Sequence, residues 1–234
     1  MKLNKKKVFV SALAASLVAI LSMGSIAWFS DSDEVTNTFK VATSGDGTTD
    51  DIFSVDVLEQ IDVDGDGDFD QDDITLEKSG YTYEKILPGD QLGKKPWVKN
   101  TGSYDQYIRV KVTLSDADEW QAILGEDFAL VEIVAGLDTT LWTENVTERV
   151  EDTKENTLTF VYYLNMILTP DASKALFTHV VIPEAMTREN AAALEGVFTM
   201  DIVAEAVQTE NVVANKVANE AENAMEAFKT VMGN

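Results

Sequence analysis

The sequence predicts an all-β fold: a two-sheet sandwich carrying short helices and followed by a C-terminal amphipathic helix. Three observations predict it. Apolar and polar residues alternate with a period of two through most of the middle of the chain. Turn-forming runs such as Leu87-Pro88-Gly89-Asp90 and Asn100-Thr101-Gly102 separate the alternating segments. A helical period appears over a long stretch only near the C-terminus. Strands with one apolar face must cover it, and packing sheet on sheet does so. With 234 residues, 45% of them hydrophobic, the chain can bury one sizeable core.

The first 27 residues read as an export signal. Lys2, Lys5, Lys6 and Lys7 form a positive head, and no charge follows between Val8 and Ser30. Ser25 and Ala27 put small residues at the positions a signal peptidase requires for cleavage after Ala27. The apolar run is also long enough to be an uncleaved anchor, but Gly24 and the small-residue motif favour cleavage, with no stable membrane insertion afterwards. The expected location is extracellular. Removing residues 1–27 takes four lysines and no acid from a chain whose net charge is already −23. Such acidity argues against nucleic acid and anionic membrane as partners. Cysteine is absent, so stability outside the cell must come from the core, a metal or assembly.

Residues 28–50 form an N-terminal segment and linker. Val35, Phe39 and Val41 share one alternating face within residues 28–42, and a polar Gly- and Thr-containing stretch follows. Residues 51–210 form the β-domain. It begins with a strand on which Phe53, Val55 and Val57 alternate, and then reaches the most specific motif of the chain. From Asp62 to Asp73 the residues follow a twelve-position calcium loop. Asp62, Asp64 and Asp66 stand at positions one, three and five, and Gly67 stands at six, where the chain must turn sharply. Asp68 at seven offers its carbonyl, Phe69 fills the apolar eighth position, Asp70 at nine acts directly or through a water, and Asp73 closes the site. Calcium takes six to eight hard oxygens, which alternate residues of a curled loop can aim inward. The approach to the loop reads as strand and the exit, residues 72–78, as a helical turn. That excludes a paired two-helix hand and predicts one loop inserted into a β-domain.

Further strands are expected at residues 107–114, 128–134, 157–168, 177–182 and 197–207. In the first, Ile108, Val110, Val112 and Leu114 share a face. In the last, Phe198, Met200, Ile202, Ala204 and Ala206 face inward while Asp201 and Glu205 face out. Short helices are expected at residues 116–124 and 187–194, each opened by a capping-type residue. Residues 211–234 read as the C-terminal helix: Val213, Val217, Ala221, Ala224, Phe228 and Val231 recur at three and four, with an end near Gly233. The stripe either packs on the sandwich or contacts another subunit.

Several short motifs resemble the TasA and camelysin family of secreted and biofilm-matrix proteins of Gram-positive bacteria. They are Gly24-Ser25-Ile26-Ala27-Trp28-Phe29-Ser30-Asp31, Asn37-Thr38-Phe39, Leu87-Pro88-Gly89-Asp90, and Trp97-Val98-Lys99-Asn100-Thr101-Gly102 leading to Tyr107-Ile108-Arg109-Val110-Lys111. Met200-Asp201-Ile202-Val203-Ala204-Glu205-Ala206-Val207-Gln208 and Ala224-Met225-Glu226-Ala227-Phe228 complete the set. The resemblance implies a jelly-roll domain, processing by a dedicated signal peptidase, and a structural role at the cell surface or in a matrix. It also implies self-association, in which residues 28–42 of one subunit add as a strand to the next. The same segment instead folds back as an edge strand of its own sheet, or stays disordered, if the protein does not polymerise. The calcium loop lies outside the family pattern and suggests a Ca2+-dependent variant. A surface adhesion or binding module that does not polymerise is the alternative function.

Some camelysin relatives are classed as metallopeptidases, but the residues here do not favour catalysis. A hydrolytic zinc site usually needs two histidines and a carboxylate. This chain has one histidine, His179, which reads as a strand residue beside Phe177 and Val181, and no His-Glu-x-x-His. It has no Gly-x-Ser-x-Gly elbow and no cysteine nucleophile. The expectation is a non-enzyme. Lys94, Lys95, Lys99, Arg109 and Lys111 gather positive charge on neighbouring strands, either to offset acids within the fold or to meet an acidic patch of a second subunit. Trp97, Trp120 and Trp142 follow no common spacing and read as core filling rather than as a sugar-binding face.

Overall fold

The computed structural model describes residues 30–35, 54–70, 74–76, 81–83, 86–187, 190 and 198–233. These residues form two antiparallel sheets packed face to face, the all-β sandwich that the alternation predicts. Chain order runs through β1 (Ser30–Val35), β2 (Val55–Ile61), β3 (Ile74–Leu76), β4 (Gln91–Asn100), β5 (Gln106–Ser115) and α1 (Ala117–Leu124). It continues through β6 (Val134–Ala135), β7 (Trp142–Glu144), β8 (Val150–Asp152), β9 (Thr157–Leu164), β10 (Ser173–Ala175), β11 (His179–Val181), β12 (Met200–Gln208) and α2 (Glu220–Met232). The first sheet has the order β1-β12-β5-β9-β7, with β8 also on β9. The second has the order β3-β2-β4-β11-β6, with β10 also on β4.

The period-two pattern sorts residues into two cores. Ile108, Val110, Val112 and Leu114 of β5, Phe160 and Tyr162 of β9, and Met200, Ile202, Ala204 and Ala206 of β12 point between the sheets. They meet Val55 and Val57 of β2 and Val98 of β4 there. The opposite face of the first sheet is covered as well. Tyr107, Val161, Tyr163 and Val207 pack under Ala221, Ala224, Ala227 and Phe228 of α2. Three alanines on the contact face bring the helix backbone close to the sheet, and each buried CH2 contributes about 0.8 kcal/mol. The C-terminal stripe therefore packs on its own sandwich. The helix starts at Glu220 because Asn219 caps it, its side chain accepting from the Ala221 N–H at 3.0 Å. Val213 and Val217 precede that cap, and Gly233, with φ 74°, ends the helix.

Three local expectations need correction. Residues 128–134 do not form a strand: Leu130–Glu132 is a 3-10 turn, with the Ala129 N–H donating to Glu132 Oε1 at 2.8 Å, and only Val134–Ala135 is extended. The apolar run is buried all the same, with Phe128, Leu130 and Ile133 in the core. Asp116 does not cap α1 with its side chain; the Asp118 N–H donates instead to Asn156 Oδ1 at 3.0 Å, from the turn before β9. Beyond the acidic loop, Ile74–Leu76 is strand rather than helical turn, because its residues pair with Glu59–Ile61. Of the helix expected at residues 187–194, only Thr187 and Asn190 are described. They bond reciprocally, the Thr187 N–H to Asn190 Oδ1 at 3.0 Å and the Asn190 N–H to Thr187 Oγ1 at 3.2 Å. Trp120 and Trp142 are core residues, as expected.

β1 lies at one edge of the first sheet and pairs with β12 of its own chain, from Ser30↔Val207 to Val35↔Ile202. The rest of the 28–42 segment and the export signal at residues 1–27 lie outside the described residues. Among the described residues, no helix is long and apolar enough to cross a membrane.

Candidate metal centre

The acidic loop is the connection of a β-hairpin. Ile61 pairs with Ile74, and residues 62–73 are the twelve positions between them. Strand pairing therefore fixes both ends of the loop, whereas in a two-helix hand helix packing would do so.

Inside the loop, successive carboxylates accept backbone hydrogen bonds from residues two, three or five further on. Asp62 Oδ1 accepts from Gly65 N–H at 2.6 Å and Asp62 Oδ2 from Gly67 N–H at 2.9 Å. Asp64 Oδ1 accepts from Asp66 N–H at 3.2 Å, and Asp66 Oδ1 from Asp68 N–H at 2.8 Å. Turns of this kind curl the chain toward its own aspartates. Gly67 takes φ +87° and Gly65 φ +76°, conformations in which a Cβ is costly. Gly65 is a second left-handed position that the loop pattern did not require.

The curl brings one carboxylate oxygen each from Asp62, Asp64 and Asp66 within 4.8 Å of one another. Oxygens on one calcium, each at about 2.3–2.6 Å, lie no more than about 5 Å apart. The donor set is all hard oxygen, which suits calcium and not zinc. Among the described residues no lysine or arginine is ion-paired with any of the three. The Asp66 N–H favours ionised Asp64. Desolvation and the charges of Asp66 and Asp62 outweigh it, and hold the Asp64 carboxyl above its ordinary value.

The other predicted ligands are placed as follows. The Asp68 and Asp70 carboxylates do not join the cluster. The loop pattern assigns Asp68 a role through its carbonyl rather than its carboxylate. The Asp70 carbonyl accepts from Gln60 Nε2 of β2 at 3.3 Å, which ties the returning limb of the loop to the strand that leads into it. Asp73 lies outside the described residues. Phe69, the apolar eighth position, packs edge-on against His179 of β11 with ring centroids 5.6 Å apart, and Lys95 Nζ lies 5.0 Å from its ring.

Residues that the loop motif does not contain hold its first position in place. The Asp62 N–H donates to the Gly93 carbonyl at 3.3 Å, and Tyr83 Oη donates to the same oxygen at 2.7 Å. Burial first, then the charges of Glu59, Tyr81 and Asp62, raises the Tyr83 pKa well above the usual tyrosine range, so the hydroxyl remains a donor. A Cβ at Gly93 would lie 2.3 Å from Asp62 Cβ, so only glycine lets strand and loop approach this closely. Directly beneath, Lys94 donates to Glu59 Oε1 at 2.5 Å in a fully buried pair. No loop pattern identifies Gly93 or Tyr83, because their role follows from β4 lying beside β2.

His179 sits in β11, as its strand pattern predicted, with Nδ1 2.9 Å from Thr178 Oγ1. Of the positive cluster, Lys94 pairs with Glu59, and Arg109 and Lys111 pair with Glu205, so these three offset acids within the fold. No protein-family model, curated protein or solved structure matches the chain in comparisons with each.

Proposed function

We propose that the chain is an exported, calcium-binding structural protein of the cell surface or biofilm matrix of a Gram-positive bacterium, a fibre subunit that assembles through residues 28–42. One observation carries the metal reading: the convergence of the Asp62, Asp64 and Asp66 oxygens within 4.8 Å at the end of a β-hairpin. Those three carboxylates, the Asp68 carbonyl, Asp70 and the closing Asp73 would hold the ion. Bound there, calcium supplies counter-charge to a crowded acidic loop and cross-links its limbs. The loop hangs on strands rather than on a movable helix pair, which supports a clip rather than a sensor.

The assembly reading rests on the likeness to TasA and camelysin and on the place of β1 at a sheet edge where, among the described residues, its one strand neighbour is β12. A strand from another subunit would add to the same backbone groups. The pairing of β1 with its own β12 favours a second reading, a surface binding module that does not polymerise. Two experiments test the proposal. Calorimetry should show calcium binding that Asp62→Ala and Asp73→Ala each abolish; unchanged binding in both variants overturns the metal reading. Light scattering and electron microscopy should show calcium-responsive polymers of the chain beginning at Trp28, and monomers when residues 28–42 are deleted. A chain that remains monomeric at every calcium concentration overturns the fibre reading and leaves the binding module.

A further inference from the structure

The loop forms one wall of a cleft of about 440 Å3. Asp62, Asp64 and Asp66 line that wall, and Tyr81, Tyr83 and His179 line other parts of the same cleft. Asp90, Gln91, Leu92 and Gly93 also border it, at the start of β4. Tyr81 and Tyr83 pack edge to face, with ring centroids 4.9 Å apart, so one aromatic ring buttresses the other. The volume falls within the usual range for small-ligand sites, about 300–1,000 Å3.

The composition of the walls selects the ligand class. Four aspartates border the cleft, so even one divalent cation leaves it without an excess of positive charge, and an anionic ligand is disfavoured. An extended apolar ligand finds only Val63, Ile86, Leu92 and the two tyrosine faces among polar groups. Neutral polyhydroxylated rings suit what remains. Their hydroxyl oxygens are hard ligands of the type calcium accepts alongside carboxylates. Their C–H faces pack on tyrosine rings, and their polar edges hydrogen-bond to amide and imidazole groups such as those of Gln91 and His179. We infer that the cleft is a calcium-dependent binding site for a neutral saccharide, with Tyr81 as its packing surface and the Asp62–Asp66 wall as its metal-bearing side. This inference rests on the calcium reading above and adds a ligand class to it.

The test titrates the full chain with calcium alone and then, calcium-loaded, with neutral oligosaccharides of glucose, galactose and mannose. A member of the panel should bind in calcium and be released by chelator. Tyr81→Ala, read at saturating calcium, should weaken that binding about tenfold, the scale of one lost aromatic contact. Gln91→Ala, a change at an exposed strand position, should weaken the sugar and not the ion. If calcium binds and no oligosaccharide does, or if Tyr81→Ala binds sugar as well as the parent chain, the saccharide site is overturned and the calcium reading stands. If calcium itself does not bind, both fall. If calcium-free chain takes an oligolysine peptide in competition with the ion and no sugar, the cleft is a cation site instead.

Discussion

Two acidic regions of this molecule are neutralised in opposite ways. Under α2, Glu205 and Glu148 surround Arg109, whose Nε donates to Glu205 at 2.6 Å and whose Nη1 reaches Glu148 and Tyr163 at 3.3 Å. Register makes this possible, since Arg109 lies opposite Glu205 on β12 and Tyr163 on β9. Lys111 reaches Glu205 at 2.9 Å, and the Arg109 guanidinium stacks 4.5 Å from the Phe228 ring. At the acidic hairpin loop, Asp62, Asp64 and Asp66 receive backbone N–H groups but no cationic side chain among the described residues. Arg109 and Lys111 pair with the acids under the helix, and Lys94 with Glu59. The first region is neutralised from within the fold, while the second gathers three carboxylates with no cationic partner among the described residues, which is why an outside charge is proposed for it.

The sharpest break in that contrast is Arg109→Ala. It leaves buried carboxylate without its main partner and removes the contact with Phe228, so unfolding by denaturant should show a loss of about 3–5 kcal/mol. A loss below about 1 kcal/mol, the worth of a surface pair, would mean that the cluster is not structural. Calcium should act on the other region alone. At free calcium a hundredfold above Kd, the parent chain should gain about 2.7 kcal/mol, roughly 5–10 °C in Tm, with no gain in Asp62→Ala. Gly93→Ala should weaken calcium about tenfold, because the new Cβ displaces Asp62. Undiminished affinity in that variant would dissociate the β4 anchor from the metal centre.

The smallest effect belongs to Asp64 in chelator. Its folded pKa stands above the ordinary 3.8, so the folded, ion-free chain holds this proton more tightly than the unfolded one. The associated stability is present below pH 3.8 and is lost as pH rises through the raised value. Asp64→Asn should therefore flatten part of that slope and slightly raise Tm in chelator, while abolishing calcium binding. A lower Tm in chelator would show that repulsion in the loop is not the cost.

The sequence revealed what local chemistry determines and missed what depends on neighbouring strands. Alternation in β5 and β12 placed Ile108, Val110, Ile202 and Ala204 on the inner face, because a period of two leaves one choice of face. It assigned Glu205 to the outside, correctly as to face. That face is nevertheless buried, because α2 arrives from the far end of the chain to cover it. Residues 128–134 misled because a short apolar run is equally a buried turn. The aspartate spacing from Asp62 to Asp73 named the candidate ligands, of which Asp62, Asp64 and Asp66 converge, while Asp73 lies outside the described residues. Gly93 and Tyr83 were invisible, since their function exists only once Gly93 lies beside Asp62. The exit of the loop was misjudged for a related reason: Ile74–Leu76 pairs with Glu59–Ile61 of β2, and the β-branched Ile74 and Thr75 suit that pairing.

The pairing of β1 with β12 also has a temporal side. A chain made from its N-terminus presents residues 30–35 long before residues 202–207 exist to receive them. β5 and β9 can pair earlier, and the acidic hairpin closes between neighbours in sequence. β1 is thus made long before its partner strand, and until it seats, one edge of β12 remains open.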